Sequence, residues 1–374
     1  MSTSSASTSS STAWTKPTRN DGSRPSDREA NPERPQLLSQ REHHSTRSSR
    51  KQQRWLSPET RCRTVAYMNN YDVVIIGGGA AGLSAALVLS RARRRVLVVD
   101  SGEPRNAPAA QMHGFLSRDG MPPGDLLAAG REEVRSYGGT IASGAVKELV
   151  RCGQEGFEVL LGDGQRVSAR RLLVATGLRD ELPDTPGLRE RWARDVLHCP
   201  YCHGWEVRDQ QLGVIWNGPE TVRYAQIVRQ WSDDVSLFAP ADTLTPAQHH
   251  QLVARAIVAV EGAIARVVVE DDHLTGVQME DGQVISRAAL FVPPRFVPNN
   301  DLLVGLECDL DEHGWVLTGA QGTTSVPGVW VAGNVSNPRA QVITAAGEGS
   351  AAALSINADL VDEDVRNAVD DFSR

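Results

Sequence analysis

Cys199 and Cys202 stand two residues apart within His198-Cys199-Pro200-Tyr201-Cys202-His203-Gly204-Trp205-Glu206. At that spacing one turn of chain brings both sulfurs within bonding range. A disulfide closing so short a loop removes little entropy from the unfolded chain and is a poor staple. It is a better switch, because one thiol of such a pair commonly has a lowered pKa and thiolate is the attacking species in exchange. Cys-x-x-Cys-His also spells covalent haem attachment, but no apolar export signal lies near Met1. A structural zinc needs four ligands, and no second pair at ligand spacing joins Cys199, Cys202 and His198 or His203. The expected chemistry is two-electron traffic through a dithiol, with no metal.

Such traffic needs a carrier, and the chain offers a site for one upstream. Val73-Val74-Ile75-Ile76 reads as a buried parallel strand, followed by Gly77-Gly78-Gly79-Ala80-Ala81-Gly82 and a helix through Leu83 to Leu89. A second strand, Val96-Leu97-Val98-Val99, ends at Asp100. This is the full dinucleotide fingerprint. Gly77 allows the tight turn, Gly79 lets a pyrophosphate approach the backbone, and Gly82 lets the helix pack closely. The helix amino terminus, at Ala80 and Ala81, faces the phosphates, and Asp100 can accept from a ribose hydroxyl.

The remaining elements repeat this layout. A helix is expected over 124–137, a strand-rich meander over 140–176 ending in Ala175-Thr176-Gly177, and a linker at Pro183 to Gly187. Leu212 to Ile215, a helix from Pro219 to Trp231, and Val235 to Phe238 then read as a second unit of the same kind. Its loop, Trp216-Asn217-Gly218-Pro219-Glu220-Thr221, has lost two of its three special positions, and Phe238-Ala239-Pro240 offers no arginine for a 2′-phosphate. Strands over 256–292, a linker at Phe296-Val297-Pro298 and a helix from Gln341 to Asn357 complete the reading. The fold class is α/β, with two doubly wound Rossmann-like domains. The boundaries are a disordered basic arm at 1–69, a first cofactor-domain part at 70–182, a central NAD(P)-like domain at 183–295, and a second part at 296–374.

Composition bounds the partners. Of the 374 residues, 40% are hydrophobic and 23% charged, as in ordinary globular chains. Residues 1–67 carry 12 Lys and Arg against 6 Asp and Glu, and the rest carries 27 against 40. An acidic body argues against nucleic-acid binding. No apolar run approaches a membrane span, and 5 cysteines make no disulfide framework. The expected location is the cytoplasm, with no membrane partner. Met68, just before the first strand, reads as the natural start, and the arm is too polar to order itself. Cys152 and Cys308 are isolated along the sequence, and Cys62 lies in the arm.

Together the first fingerprint, Ala175-Thr176-Gly177, the Cys-x-x-Cys pair and the segment from Ser325 to Gly347 resemble the low-molecular-weight thioredoxin reductase family of pyridine nucleotide-disulphide oxidoreductases. Cys-Pro-Tyr-Cys-His-Gly-Trp-Glu and the eroded second loop look like its dithiol oxidase branch, whose members close disulfides in holomycin- or gliotoxin-type products and pass electrons to oxygen. The resemblance implies FAD held by Gly77, Gly79, Ala80, Ala81, Gly82, Asp100, Ala175, Thr176, Gly177 and Gly333, with Asn334 near the ribityl chain. It places Gln341 and Val342 at a helix start facing the flavin. Reductases of the family usually carry aspartate at the positions of Asn334 and His203. By the same resemblance Cys202 faces the flavin, Cys199 exchanges with substrate, and the chain is a homodimer. His203 is then a candidate base, since an imidazole near neutrality takes and returns a thiol proton; His113 is a weaker candidate for the same cleft. The expected partners are a dithiol, a small molecule ahead of a protein, and oxygen. An NADPH-driven disulfide reductase and a non-catalytic thiol sensor are the alternatives.

Overall fold

The computed structural model describes residues 70–153 and 156–374, so the arm read over 1–69 lies outside them. Val73, Val74, Ile75 and Ile76 are buried on both faces, as a continuous apolar run in a central parallel strand requires. They belong to β1 (Asn70–Ile76), which runs parallel to β2 (Val96–Asp100) on one side and β6 (Arg166–Val174) on the other. With β3 (Thr140–Ser143), β4 (Val146–Arg151) and β5 (Phe157–Leu161) the sheet has the order β3-β2-β1-β6-β5-β4. The chain returns late to add β17 (Val329–Val331) beside the end of β6. Helices α1 (Ala80–Arg91), α2 (Pro123–Ser136) and α7 (Val342–Phe372) close one face, and the short α6 (Asp301–Gly305) packs on the other.

The second sheet is parallel throughout, in the order β11 (Ile257–Glu261), β10 (Val235–Ala239), β9 (Leu212–Ile215), β15 (Ala289–Phe291), β8 (Val196–Leu197). Helices α4 (Thr221–Val228) and α5 (Pro246–Ala254) cover one face. The other packs on an antiparallel sheet of β12 (Ile264–Glu270), β13 (His273–Met279) and β14 (Val284–Ser286). Parallel strands end at one edge of each sheet, which is where a ligand crevice forms in such folds.

Two elements differ from the sequence reading. Phe296-Val297-Pro298, read as a linker, is part of strand β16 (Arg295–Pro298), which pairs antiparallel with β7 (Leu178–Glu181). These two strands are the chain's crossings between the sheets. Helix α7 ends at Phe372 rather than Asn357. Its first half is rich in alanine and glycine because it lies against α1: a Cβ at Gly349 would overlap Ala81 O. Beyond Leu360 apolar burial ceases and ion pairs take over, Asp364 meeting Arg94 at 2.8 Å and Arg170 at 2.6 Å. Among the described residues no helix is long and apolar enough to cross a membrane.

Candidate active site

The first fingerprint folds into a cradle whose glycines have distinct reasons. Gly77 has φ +106°, and a Cβ there would overlap Ala175 O, so the end of β6 seats directly on the turn. A Cβ at Gly82 would overlap Gly77 O, and one at Gly78 would come 2.5 Å from Asp100 Oδ2. Gly79 differs: a Cβ there would meet no chain atom within 4 Å. Open space therefore lies over the start of α1, where the N–H groups of Ala80, Ala81 and Gly82 have no partner within the helix. Gly333 closes in from the far segment, its α-carbon so near that a Cβ would be 3.0 Å from the Ala81 methyl. Helix α7 begins beside it, with Gln341 as N-cap making no side-chain cap bond. A concave backbone surface edged by free amides fits a pyrophosphate, so the cradle fits a dinucleotide.

Partners of the other predicted cofactor residues were invisible in the sequence. Asp100 receives Arg131 Nη2 at 2.8 Å and Gly102 N at 3.3 Å. Burial would raise its pKa, but these bonds outweigh that and hold the carboxyl below its ordinary value. The Thr176 hydroxyl donates to Asn299 O at 2.6 Å, and Asn299 Nδ2 returns a bond to Thr176 O at 3.0 Å. Ala175-Thr176-Gly177 thus clasps the returning chain. Asn334 Nδ2 donates to Asn337 O at 2.9 Å and Ala340 O at 3.0 Å. An ionised aspartate could not donate to either carbonyl, so asparagine is what this loop requires. Glu348, unread in the sequence, accepts from Gly333 N at 2.9 Å and Asn337 Nδ2 at 2.6 Å, fixing the same loop.

Cys199 and Cys202 are joined in a disulfide with Cα atoms 5.2 Å apart. Cys199 is the N-cap of the single-turn helix α3 (Pro200–His203), and proline at its first position is pre-set for the turn. The N–H groups of Cys202 and His203 both donate to Cys199 O, at 3.0 and 3.1 Å. Gly204 leaves room for Trp231, whose ring a Cβ would meet at 2.7 Å. Tyr201 and Trp205 flank the disulfide with 63% and 65% exposure.

His203 is half-buried beside the pair. Burial pushes its pKa below the ordinary 6.5, Glu206 opposes that shift, and His113 adds to it. His113 comes from the loop after β2 and sits between two carboxylates, with Nε2 3.5 Å from Glu206 Oε1 and Nδ1 3.3 Å from Asp119 Oδ2. The same loop touches α7: a Cβ on Gly114 would lie 3.4 Å from Gln341 Oε1. Through His113 and Gly114 the loop after β2 thus meets both Glu206, just beyond the disulfide helix, and the start of α7. His198 packs between Trp192 and Phe296, and burial takes its pKa down to about 4. Glu206 and Asp119 carried no signal beyond their letters, since their partners come from distant chain.

The second loop is braced by its own hydrogen bonds, although a Cβ at Gly218 would meet no chain atom within 4 Å. Trp216 packs into the core beneath it. Trp216 N donates to Phe238 O, Asn217 N to Thr221 Oγ1 at 3.1 Å, and Thr221 N to Gly218 O at 3.0 Å. Glu220 adds negative charge at the start of α4, where a phosphate would need the opposite.

Comparison with known proteins agrees with this geometry. The pyridine nucleotide-disulphide oxidoreductase family matches residues 71–349. The crystal structure of HlmI is 54% identical, with a TM-score of 0.80 over 82% of this chain and 97% of that one. The oxidoreductase from Agrobacterium tumefaciens is 35% identical, with a TM-score of 0.74 over 78% and 99%. Thioredoxin reductase sirT of Leptosphaeria maculans is 30% identical over 306 residues, 77% of this chain and 93% of its own. The chain belongs to the pyridine nucleotide-disulphide oxidoreductase family and is a flavin-dependent thiol-disulfide oxidoreductase of the thioredoxin reductase type.

Proposed function

We propose that the protein is an FAD-dependent oxidase that closes a disulfide in a small-molecule dithiol, with oxygen as the acceptor and hydrogen peroxide as the second product. The contrast between the two loops carries this reading. Both are open at the middle glycine, Gly79 and Gly218, but the second has Trp216 in place of the tight-turn glycine, satisfies the Asn217 and Thr221 N–H groups within itself, and carries the Glu220 charge at the start of α4. FAD in the first cradle supplies a two-electron acceptor that oxygen reoxidises. The exposed Tyr201, Trp205 and Leu116 suit an apolar substrate body.

The chain's own residues perform the exchange. A substrate thiolate attacks Cys199 Sγ, the bond to Cys202 breaks, and Cys202 leaves as thiolate. The second substrate thiolate then attacks the substrate sulfur of the mixed disulfide, releasing Cys199 as thiolate and the product as a disulfide. Both substrate electrons now rest on the cysteine pair. His203 accepts one thiol proton on its neutral ring during the first attack, and the proton of the second thiol passes to solvent.

Anaerobic titration of the flavin absorbance tests this reading. Excess NADPH leaves the yellow colour intact, dithiothreitol bleaches it, and air restores it with peroxide released. Prompt bleaching by NADPH would instead make the protein a reductase.

The pH profile tests His203. The base is the neutral ring, and burial lowers its pKa, so activity persists on the acid side of 6.5 before falling. His203→Gln removes that limb and lowers kcat/KM by about 100-fold or more. Glu206→Gln deletes the interaction that raises the His203 pKa and moves the limb to lower pH. His113→Gln deletes an interaction that lowers it and moves the limb up. A limb unmoved by all three substitutions would exclude His203 as the base.

A further inference from the structure

The chain crosses between its sheets twice, out through β7 and back through β16, and the crossings pair with Asp180 opposite Phe296. A two-stranded ribbon is marginal alone, so such a joint acts as a hinge unless one body braces it. Arg105, from the segment after β2, reaches both strands. Its Nε and Nη2 donate to Asp180 Oδ2 and Oδ1 at 2.8 and 2.7 Å. Its guanidinium carbon lies 5.3 Å from the Phe296 ring centroid. Phe296 in turn meets His198 edge-on at 5.1 Å, and His198 leads directly into Cys199. The Arg105 and Asp180 side chains are 26% and 10% exposed. The neighbouring Arg295–Glu181 pair, at 71% and 39%, is open to solvent and contributes little.

We infer that Arg105 is a positioning residue: it fixes the crossing strands and, through Phe296 and His198, holds the Cys199 segment in one seat throughout turnover. The inference extends the oxidase reading, in which the disulfide needs no second docking position. A guanidinium is suited to this because its planar fork bonds a carboxylate twice while its face lies on an aromatic ring. Lysine retains the charge and makes neither arrangement.

The test uses FAD-loaded protein with nitroxides on genetically encoded keto residues at Glu133 of α2 and Val253 of α5, both exposed. Pulsed dipolar EPR then reads the distance between the bodies. Wild type gives one narrow distance, oxidised and after dithiothreitol reduction alike. Arg105→Met and Arg105→Lys each add a second population and lower kcat about tenfold, with KM for the dithiol within about twofold. Two distances in the wild type overturn the inference. So does an Arg105→Lys protein that matches wild type, since charge balance alone would then suffice; this milder variant decides the matter if Arg105→Met does not fold. NADPH bleaching tests the oxidase reading separately, because the distance measurement is indifferent to the electron acceptor.

Discussion

Cys199→Ser leaves the protein yellow and lowers dithiol turnover by about 10⁴-fold or more, the scale of losing a covalent nucleophile. The flavin stays because Cys199 lies at the start of α3, whereas the cradle is built from the ends of β1 and β6, the start of α1 and the Gly333 loop. Cys202→Ser is equally inactive but fails differently. Its surviving Cys199 thiolate attacks an added monothiol disulfide, hydroxyethyl disulfide, releases one mercaptoethanol and keeps the other in a mixed disulfide that neither a second cysteine nor a tethered thiol resolves. Intact-mass spectra therefore show a mercaptoethanol adduct on Cys202→Ser and none on Cys199→Ser. An adduct on Cys199→Ser would reverse the roles of the two sulfurs.

Gly82→Ala prevents assembly of the cofactor cradle. The added methyl would overlap Gly77 O, and because that atom is backbone, no side chain can move aside. The helix must shift or the turn must open, at a cost of about 3 kcal/mol. The protein emerges colourless, with a denaturation midpoint well below wild type. Gly79→Ala is the counterpart: its methyl meets no chain atom within 4 Å, and its φ of −78° suits alanine. Its flavin-free form denatures as wild type does, yet FAD affinity falls, because the methyl occupies the space a pyrophosphate would enter. If Gly79→Ala retained FAD as tightly as wild type, the cradle would lie elsewhere.

The sequence disclosed those features whose causes are local. Gly77 to Gly82 between two apolar strands, the spacing of Cys199 and Cys202, and the loss of glycine at 216 and 221 can each be read within a few residues. The supports could not be read that way. Arg105 meets Asp180 across 75 positions, and Arg131 meets Asp100 across 31. Glu206 becomes informative only once His113 arrives from another loop. The same limit explains β16, whose proline and asparagine neighbours look like a linker until β7 is beside it. It also explains the far half of α7, where Asp359, Glu363 and Asp364 look like a solvated tail until Arg94, Arg170 and Arg171 are in place.

The second loop also bears on the routes open to the chain over evolutionary time. Restoring an open phosphate turn would require glycine at Trp216, which now fills core space; removing an indole there costs about 3 kcal/mol. It would also require loss of the Thr221 hydroxyl that holds Asn217 N, removal of the Glu220 charge, and a new cation after β10. None of these changes helps until the others are made, and the first alone consumes a large part of a typical stability margin of about 5–15 kcal/mol. Trp216→Gly alone therefore lowers stability while Thr221 and Glu220 still leave the loop unsuited to a phosphate, so no single substitution converts it.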